Sequence, residues 1–243
     1  MTIEGRNFPQ FFITGPNPCP YLPDKQERKV FTHLIGGDTR HLNTQLSQGG
    51  FRRSQNIVYR PACDTCKACT SVRIPVRKFE WTKSFRRVMK RNADVVSTVI
   101  RAKATGEHYS LFRGYIDTRH AEGGMADMSV LDFAAMVDDT ITDSRIVEYR
   151  FGPQHPQAGE LICAVLMDVL GDGLSLIYSF YEPSYSDRSL GTLVVLDTNN
   201  RANKLDLQYV YLGYYVEGSR KMEYKGRFKP QERLSTSGWE LFS

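Results

Sequence analysis

Three thiols fall within seven residues in Cys63-Asp64-Thr65-Cys66-Lys67-Ala68-Cys69, just after the basic segments Phe51-Arg52-Arg53-Ser54 and Tyr59-Arg60-Pro61. Thiolates at this spacing can ligate zinc or an iron-sulfur group, with Cys19 as a fourth sulfur if the N-terminal segment folds back. The other reading is a set of reduced structural cysteines, because the motif lacks a second Cys-x2-Cys pair. Lys67 and the nearby arginines would lower a thiol pKa, so a reactive thiol is a third reading. Cys163 stands apart in the apolar run 161–167, and an odd count of five argues against a secreted disulfide framework.

A second chemical candidate is Tyr181-Glu182-Pro183, continued by Asp187-Arg188-Ser189-Leu190-Gly191-Thr192-Leu193. A strand end, a turn and a helix start follow one another here. The free backbone N–H groups near Ser189, Leu190 and Gly191 can therefore hold a phosphate or a carbonyl oxygen. Glu182 or Asp187 could relay a proton, or could simply cap the turn. The segment partly imitates the Arg-x-x-Gly-x-Gly/Ala loop that grips coenzyme A pyrophosphate, but Leu193 fills the last small position. Downstream, Tyr209, Tyr211, Tyr214, Tyr215 and Tyr224 crowd the last strand and its exit. Alternation along a strand would offer Tyr209, Tyr211 and Tyr215 as rings to stack on an adenine; equally, they can be sheet-face residues. Lys221 and Lys225 could bind a phosphate or an acidic peptide terminus. His33, His41, His108, His120 and His155 are scattered, and no His-Glu-x-x-His, Gly-x-Ser-x-Gly or Gly-x4-Gly-Lys motif occurs, so hydrolase and kinase readings have no residues to stand on.

The chain has 243 residues, 41% of them apolar, and a net charge of +5. Residues 52–103 hold fourteen Lys or Arg against Asp64, Glu80 and Asp94, a local +11 that leaves −6 for the rest. That asymmetry is the electrostatic footprint of a phosphate polymer, although a solvated charged face has the same composition. Met1 to Gln10 has no apolar h-region, and no apolar run approaches the roughly 20 residues that span a bilayer. The expectation is a soluble, cytoplasmic protein with no membrane partner.

Punctuation by Gly and Pro then places the elements. The Pro-rich opening from Pro9 to Pro23 reads as irregular backbone wrapping another element. Strands are expected at 30–35 and 56–60. A helix over 81–92 places Trp81, Phe85, Val88 and Met89 on one face and Lys83, Arg86, Arg87, Lys90 and Arg91 on the other. After Gly106 come helices at 107–121 and 130–137, then strands at 145–151, 160–169 and 174–181. A helix at 189–203 and a strand at 208–216 follow. Strand, strand, strand, helix, strand is the order of the GNAT acyltransferase core. The fold class is thus α+β, with a smaller Cys-containing N-terminal domain (1–105) packed on a GNAT-like C-terminal half (106–243).

Taken together, these segments resemble one family. Pro18-Cys19-Pro20-Tyr21, Gly50-Phe51-Arg52-Arg53-Ser54, Tyr59-Arg60-Pro61-Ala62-Cys63 through Cys69 with Arg73, and Ser84-Phe85-Arg86-Arg87 carry the resemblance in the first half. Ser189-Leu190-Gly191, Tyr211-Leu212-Gly213-Tyr214-Tyr215, and Lys221-Met222-Glu223-Tyr224-Lys225 with Phe228 and Pro230 carry it in the second. The chain is similar to the bacterial aspartate/glutamate leucyltransferases, relatives of the eukaryotic arginyl-tRNA–protein transferases. The resemblance implies leucyl-tRNA as donor and proteins beginning in Asp or Glu as acceptors, thereby marked for N-degron degradation. It implies no cofactor for the transfer itself. Two positions depart from the pattern: Leu22 stands where eukaryotic relatives carry a second cysteine, and Ser219 where relatives often carry one.

On that basis Arg52, Arg53, Lys83, Arg86, Arg87, Lys90 and Arg91 are assigned to the tRNA backbone. The Ser189 to Gly191 amides take the reacting carbonyl or the terminal ribose, and Tyr181, Tyr209, Tyr211, Tyr214, Tyr215 and Tyr224 the terminal adenosine and aminoacyl group. Arg73, Lys221 and Lys225 are candidates for the acceptor's acidic side chain, which needs a cation. The rival readings are a coenzyme A-dependent N-acetyltransferase, arginine as the transferred residue, and a non-catalytic RNA-binding metal module.

Overall fold

Residues 9–243 are described by the computed structural model, so the reading of Met1 to Gln10 falls, but for its last two residues, outside the described residues. In chain order the strands are β1 (Phe11–Ile13), β2 (Asn17–Pro18), β3 (Gln26–Glu27), β4 (Lys29–His33), β5 (Arg52–Ser54), β6 (Ile57–Pro61), β7 (Cys69–Pro75), β8 (Val95–Arg101), β9 (Ser144–Phe151), β10 (Leu161–Val169), β11 (Gly173–Tyr181), β12 (Tyr209–Val216), β13 (Gln231–Ser235) and β14 (Gly238–Phe242). The α-helices are α1 (Thr39–Gln48), α2 (Lys83–Arg91), α3 (Gly106–Arg119), α4 (Val130–Asp138) and α5 (Leu190–Lys204).

Eight strands form the main sheet in the order β14-β13-β7-β12-β11-β10-β9-β8. β10 is buried over all but its last residue, as a central strand covered on both faces must be. One face packs against α2 and α5 through Phe85, Val88, Leu193, Val194 and Leu196. The other packs against α3 and α4 through Leu111, Phe112, Ile116, Phe133 and Val137. Short polar side chains start these helices: Thr82 caps α2, Thr105 caps α3, and a reciprocal Ser129/Asp132 capping box opens α4. The α+β class expected from the sequence is the one observed.

A second sheet, β1-β4-β6-β5, lies beside the first with α1 and a small core of Leu34, Leu46 and Val58. The expected division at residue 105 does not follow the sheets. β7 sits between β12 and β13, and β8 forms an edge of the main sheet, although both precede residue 106. β7 pairs with β12 from Tyr209↔Pro75 to Val216↔Cys69. The first hundred residues thus supply strands that the second half needs for its backbone hydrogen bonds.

β11 and β12 are the one parallel pair among the described residues, joined by the α5 crossover. Their ladder covers only Gly173↔Tyr209 to Ser175↔Tyr211. Beyond it, β12 shifts register against β7 between Tyr211 and Gly213, and Gly213 adopts a φ of 74°. The sheet therefore opens on the C-terminal side of both strands, where α5 begins.

Candidate functional site

The turn from β11 to α5 runs through a short 3-10 segment, Pro183–Arg188, to Ser189, whose φ of 56° and ψ of 46° are left-handed. No side chain caps the start of α5. The N–H groups of Leu190 and Gly191 thus keep the unused donors of a helix first turn. Gly191 faces the Tyr181 ring, which a Cβ at that position would meet at 3.6 Å.

This loop is held from below. Arg188 donates to both Asp94 carboxylate oxygens, at 2.8 and 3.0 Å, and lies over the Phe151 ring at 4.9 Å. The Arg188 hydrogen bonds hold the Asp94 carboxyl below its usual range, and burial opposes them only in part. Buried Asn92 donates to Arg188 O at 3.0 Å and to Val88 O at 2.9 Å. Arg91 donates to Asp187 O. The end of α2 therefore grips the loop, while Lys83, Arg86, Arg87, Lys90 and Arg91 stand exposed along the helix and Phe85 and Val88 anchor it. Glu182 accepts from Ser184 N at 3.1 Å and so caps the turn, the plainer of its two expected roles.

Beside the loop a group of aromatic side chains gathers. Tyr115 and Tyr181 lie 4.8 Å apart by ring centroid, and the Tyr115 hydroxyl meets His120 Nε2 at 3.3 Å. Burial is the main cause that raises the Tyr115 phenol, and neighbouring Tyr181, Tyr178 and Tyr224 add to it. Burial also pushes Tyr178 up to about 12. Tyr224 is 44% exposed, yet burial by its neighbours raises its phenol. Burial keeps His120 below its ordinary value, aided by the charges of Lys221 and Arg119. The charge of Lys221 thus acts at the His120 end of this group.

Several expected site residues lie elsewhere. Arg53 is 3% exposed; its guanidinium binds Asp168 at 2.5 and 2.7 Å and Ser144 at 3.1 Å. It cannot meet a phosphate, because the polar partner it needs is already inside the core. Arg73 is buried between the Tyr209 ring (3.5 Å) and the Trp239 ring (4.2 Å) and pairs with Glu232 at 2.7 Å, so it is not free to grip an acceptor. Tyr211 bonds Asp172 at 2.9 Å and accepts from Arg73 at 3.1 Å. The Tyr214 hydroxyl donates to Gly50 O and Tyr59 O, and Tyr215 lies under Arg233. These four tyrosines pack the sheet; of the expected six, Tyr181 and Tyr224 belong to the aromatic group beside the loop. Tyr115, Tyr178, His120 and Arg119 were not foreseen: α3 has no strong amphipathic pattern to show which face it turns to the loop, and Tyr178 is hidden in the apolar run of β11.

Cys19, Cys63, Cys66 and Cys69 gather around a separate cavity of about 600 Å³, also lined by Tyr21, Tyr59, Arg60 and Lys67. All are free thiols, as is the fully buried Cys163. Burial, with the other three thiols nearby, pushes Cys69 up to about 11. Among the described residues no three His, Cys, Asp or Glu side chains converge as a metal site. As arranged, the four cysteines do not fit the zinc or iron-sulfur group expected for them. No described helix is long and apolar enough to cross a membrane.

Comparison with known proteins bears on the whole chain. The family model "Arginine-tRNA-protein transferase, N terminus" matches residues 17–87, and "Arginine-tRNA-protein transferase, C terminus" matches 107–235. An aspartate/glutamate leucyltransferase of Nitrobacter hamburgensis is 56% identical over 98% of this chain and 94% of its own length. One from Afipia carboxidovorans is 58% identical over 98% and 95%. Among solved structures, a crystal structure of FemX covers 78% of this chain and 63% of its own at a TM-score of 0.46 and 12% identity. With both family models matched in order and full-length relatives more than half identical, the chain belongs to the arginine-tRNA-protein transferase family.

Proposed function

We propose that the protein transfers leucine from leucyl-tRNA to the α-amine of proteins that begin with Asp or Glu, marking them for degradation by the N-degron route in the cytoplasm. The observation that carries this reading is the near-full-length identity to aspartate/glutamate leucyltransferases. The site's chemistry supports it. Converting an ester to an amide is downhill, so no nucleotide hydrolysis is required. The acceptor nitrogen attacks the ester carbonyl carbon, the bond from that carbon to the ribose oxygen breaks, and a nitrogen proton passes to the ribose oxygen. An α-amine pKa of about 8 leaves a neutral fraction near pH 7, so a strong base is dispensable.

Catalysis then rests on position and on polarising the carbonyl. The N–H groups of Leu190 and Gly191, presented by the left-handed Ser189, take the developing oxyanion. Tyr181, Tyr115 and Tyr224 wall the terminal adenosine and leucyl group. The exposed bases of α2 carry the acceptor stem, and because α2 also holds the loop through Asn92 and Arg91, the tRNA track and the reacting centre are mechanically one unit. Asp187 is the remaining candidate for the proton relay.

The test incubates the protein at low salt with labelled leucyl-tRNA or arginyl-tRNA and peptides beginning in Asp, Glu, Lys or Ala. Leucine should appear on the Asp and Glu peptides only. Transfer of arginine instead, acetylation from acetyl-coenzyme A instead, or tRNA binding with no transfer, overturns the reading.

A further inference from the structure

Arg52 and Arg53 are adjacent in sequence and opposite in circumstance. Buried Arg53 is matched by Asp168, Arg73 by Glu232, Arg188 by Asp94, and Arg150 by Glu107 and Glu148. Arg52 has no such match. Its side chain reaches from β5 into the gap where the β11–β12 ladder has ended, donates to Ile177 O, and lies against Gly213. On the next residue of β12, Lys225 Nζ donates to Tyr214 O at 2.8 Å. Two cationic heads thus sit on consecutive residues of one strand. Among the described residues neither forms an ion pair, although Lys225 is only 4% exposed.

Burying an ammonium beside a second cation without a counter-ion is unfavourable. Burial and the Arg52 charge accordingly push the Lys225 amine well below its ordinary value. The arrangement lacks one negative charge, and its surroundings indicate where that charge enters. Tyr224, the residue before Lys225, is 44% exposed, and both Arg52 and Tyr181 act on its phenol. Tyr181 in turn touches Gly191 of the α5 loop. The two cations are therefore linked, through Tyr224 and Tyr181, to the loop proposed to hold the reacting carbonyl.

We infer that Arg52 and Lys225 together hold the side-chain carboxylate of the acceptor's first residue and so separate Asp and Glu from their uncharged amides. The assignment rests on the proposed leucyl transfer for the identity of the anion. A guanidinium offers two parallel donors to a carboxylate and the ammonium completes its coordination. Phosphodiesters are met by the exposed face of α2, whereas Lys225 in this seat is 4% exposed beside the half-exposed Tyr224. Bound there, the carboxylate relieves the repulsion between the two cations and leaves the neighbouring α-amine free to attack.

The test uses the full chain, Arg52→Lys, Arg52→Gln and Lys225→Met, and peptides identical but for a first residue of Asp or Asn. Binding is measured by fluorescence anisotropy without tRNA, and leucine transfer separately with leucyl-tRNA. The wild type should bind the Asp peptide about 10- to 100-fold more tightly than the Asn peptide, the range of a charge-assisted contact. Each variant should lose most of that ratio, with KM for the Asp peptide rising and the affinity for leucyl-tRNA unchanged. Lys225→Met and Arg52→Lys keep the shape of the seat, so they report if Arg52→Gln fails to fold. Folded variants that keep the Asp-over-Asn ratio overturn the seat, as does a parallel loss of leucyl-tRNA binding, which would assign the anion to a tRNA phosphate. Carboxylate-dependent binding with no leucine transfer by the wild type would leave the seat standing and remove the proposed reaction.

Discussion

Arg188 holds the α5 loop through a bidentate pair that only a planar guanidinium can make. Arg188→Lys keeps the charge but loses the second bond and the fit over Phe151. Ser189 to Gly191 would then be free to shift. A displacement of about 1 Å at a reacting centre can lower the rate about 100-fold, so the single-turnover rate of leucyl transfer should fall by about 10- to 100-fold while the Kd for leucyl-tRNA holds. Gly213 makes a related point. A Cβ there would run into Arg52 Nη1, on a backbone with a φ of 74°. Gly213→Ala should therefore cost about 1 kcal/mol or more in stability and displace Arg52, which denaturant melts and the Asp-over-Asn binding ratio read separately. Lys225 has a pH signature. Its folded pKa lies below the unfolded 10.5, so between those values the unfolded chain binds more protons and stability rises with pH. Lys225→Met removes that slope. Its stability should exceed the wild type's by about 1 kcal/mol near pH 6, and the gap should close as the pH approaches 10.5. A gap independent of pH would show that folding leaves the Lys225 amine at its ordinary value.

Helix α2 is legible in the sequence alone because its pattern is local: Phe85 and Val88 repeat at helical spacing, bases fill the other face, and Thr82 caps it. The same holds for β9, β10, β11, α5 and β12, whose apolar runs are bounded by turn residues. Legibility fails where tertiary context decides. β7 reads as Cys69–Pro75 in a basic, Cys-rich stretch, and only its neighbours β12 and β13 make it a central strand. Arg53 and Arg73 look like surface bases because sequence cannot show Asp168 or Glu232 waiting more than a hundred residues away. The tyrosines of β12 are read from alternation alone, which names two faces without saying which is the site. α2 carries its own prediction. Its bases are exposed, so Arg86→Ala, Arg87→Ala and Lys90→Ala combined should leave the melting temperature unchanged and weaken leucyl-tRNA binding. The slope of log K against log salt should fall by about one for each phosphate that the helix no longer neutralises. An unchanged slope between about 50 and 200 mM salt would take α2 off the tRNA.

At the scale of the whole molecule, the two sheets are stapled by chemistry rather than by a linker. Arg53 on β5 and Asp168 on β10 join them through a buried pair, each side chain 1% exposed, and Asn43 of α1 adds a hydrogen bond to the same carboxylate at 3.2 Å. Asp168→Asn would strand a buried guanidinium and should cost about 3–5 kcal/mol. The interleaving of strands makes a stronger claim. A fragment of residues 106–243 lacks β7, so β12 and β13 lose the strand between them and the β13–β14 hairpin loses the one sheet neighbour it has among the described residues. It also lacks β8, which covers β9, and α2, which supplies Phe85 and Val88 to the core. Such a fragment should show no cooperative thermal transition alone, and a native-like transition should return when residues 1–105 are added in trans. A fragment that melts sharply on its own, at a temperature near that of the full chain, would show that the C-terminal half closes its sheet without the first hundred residues, and the loop held by α2 would then need another support.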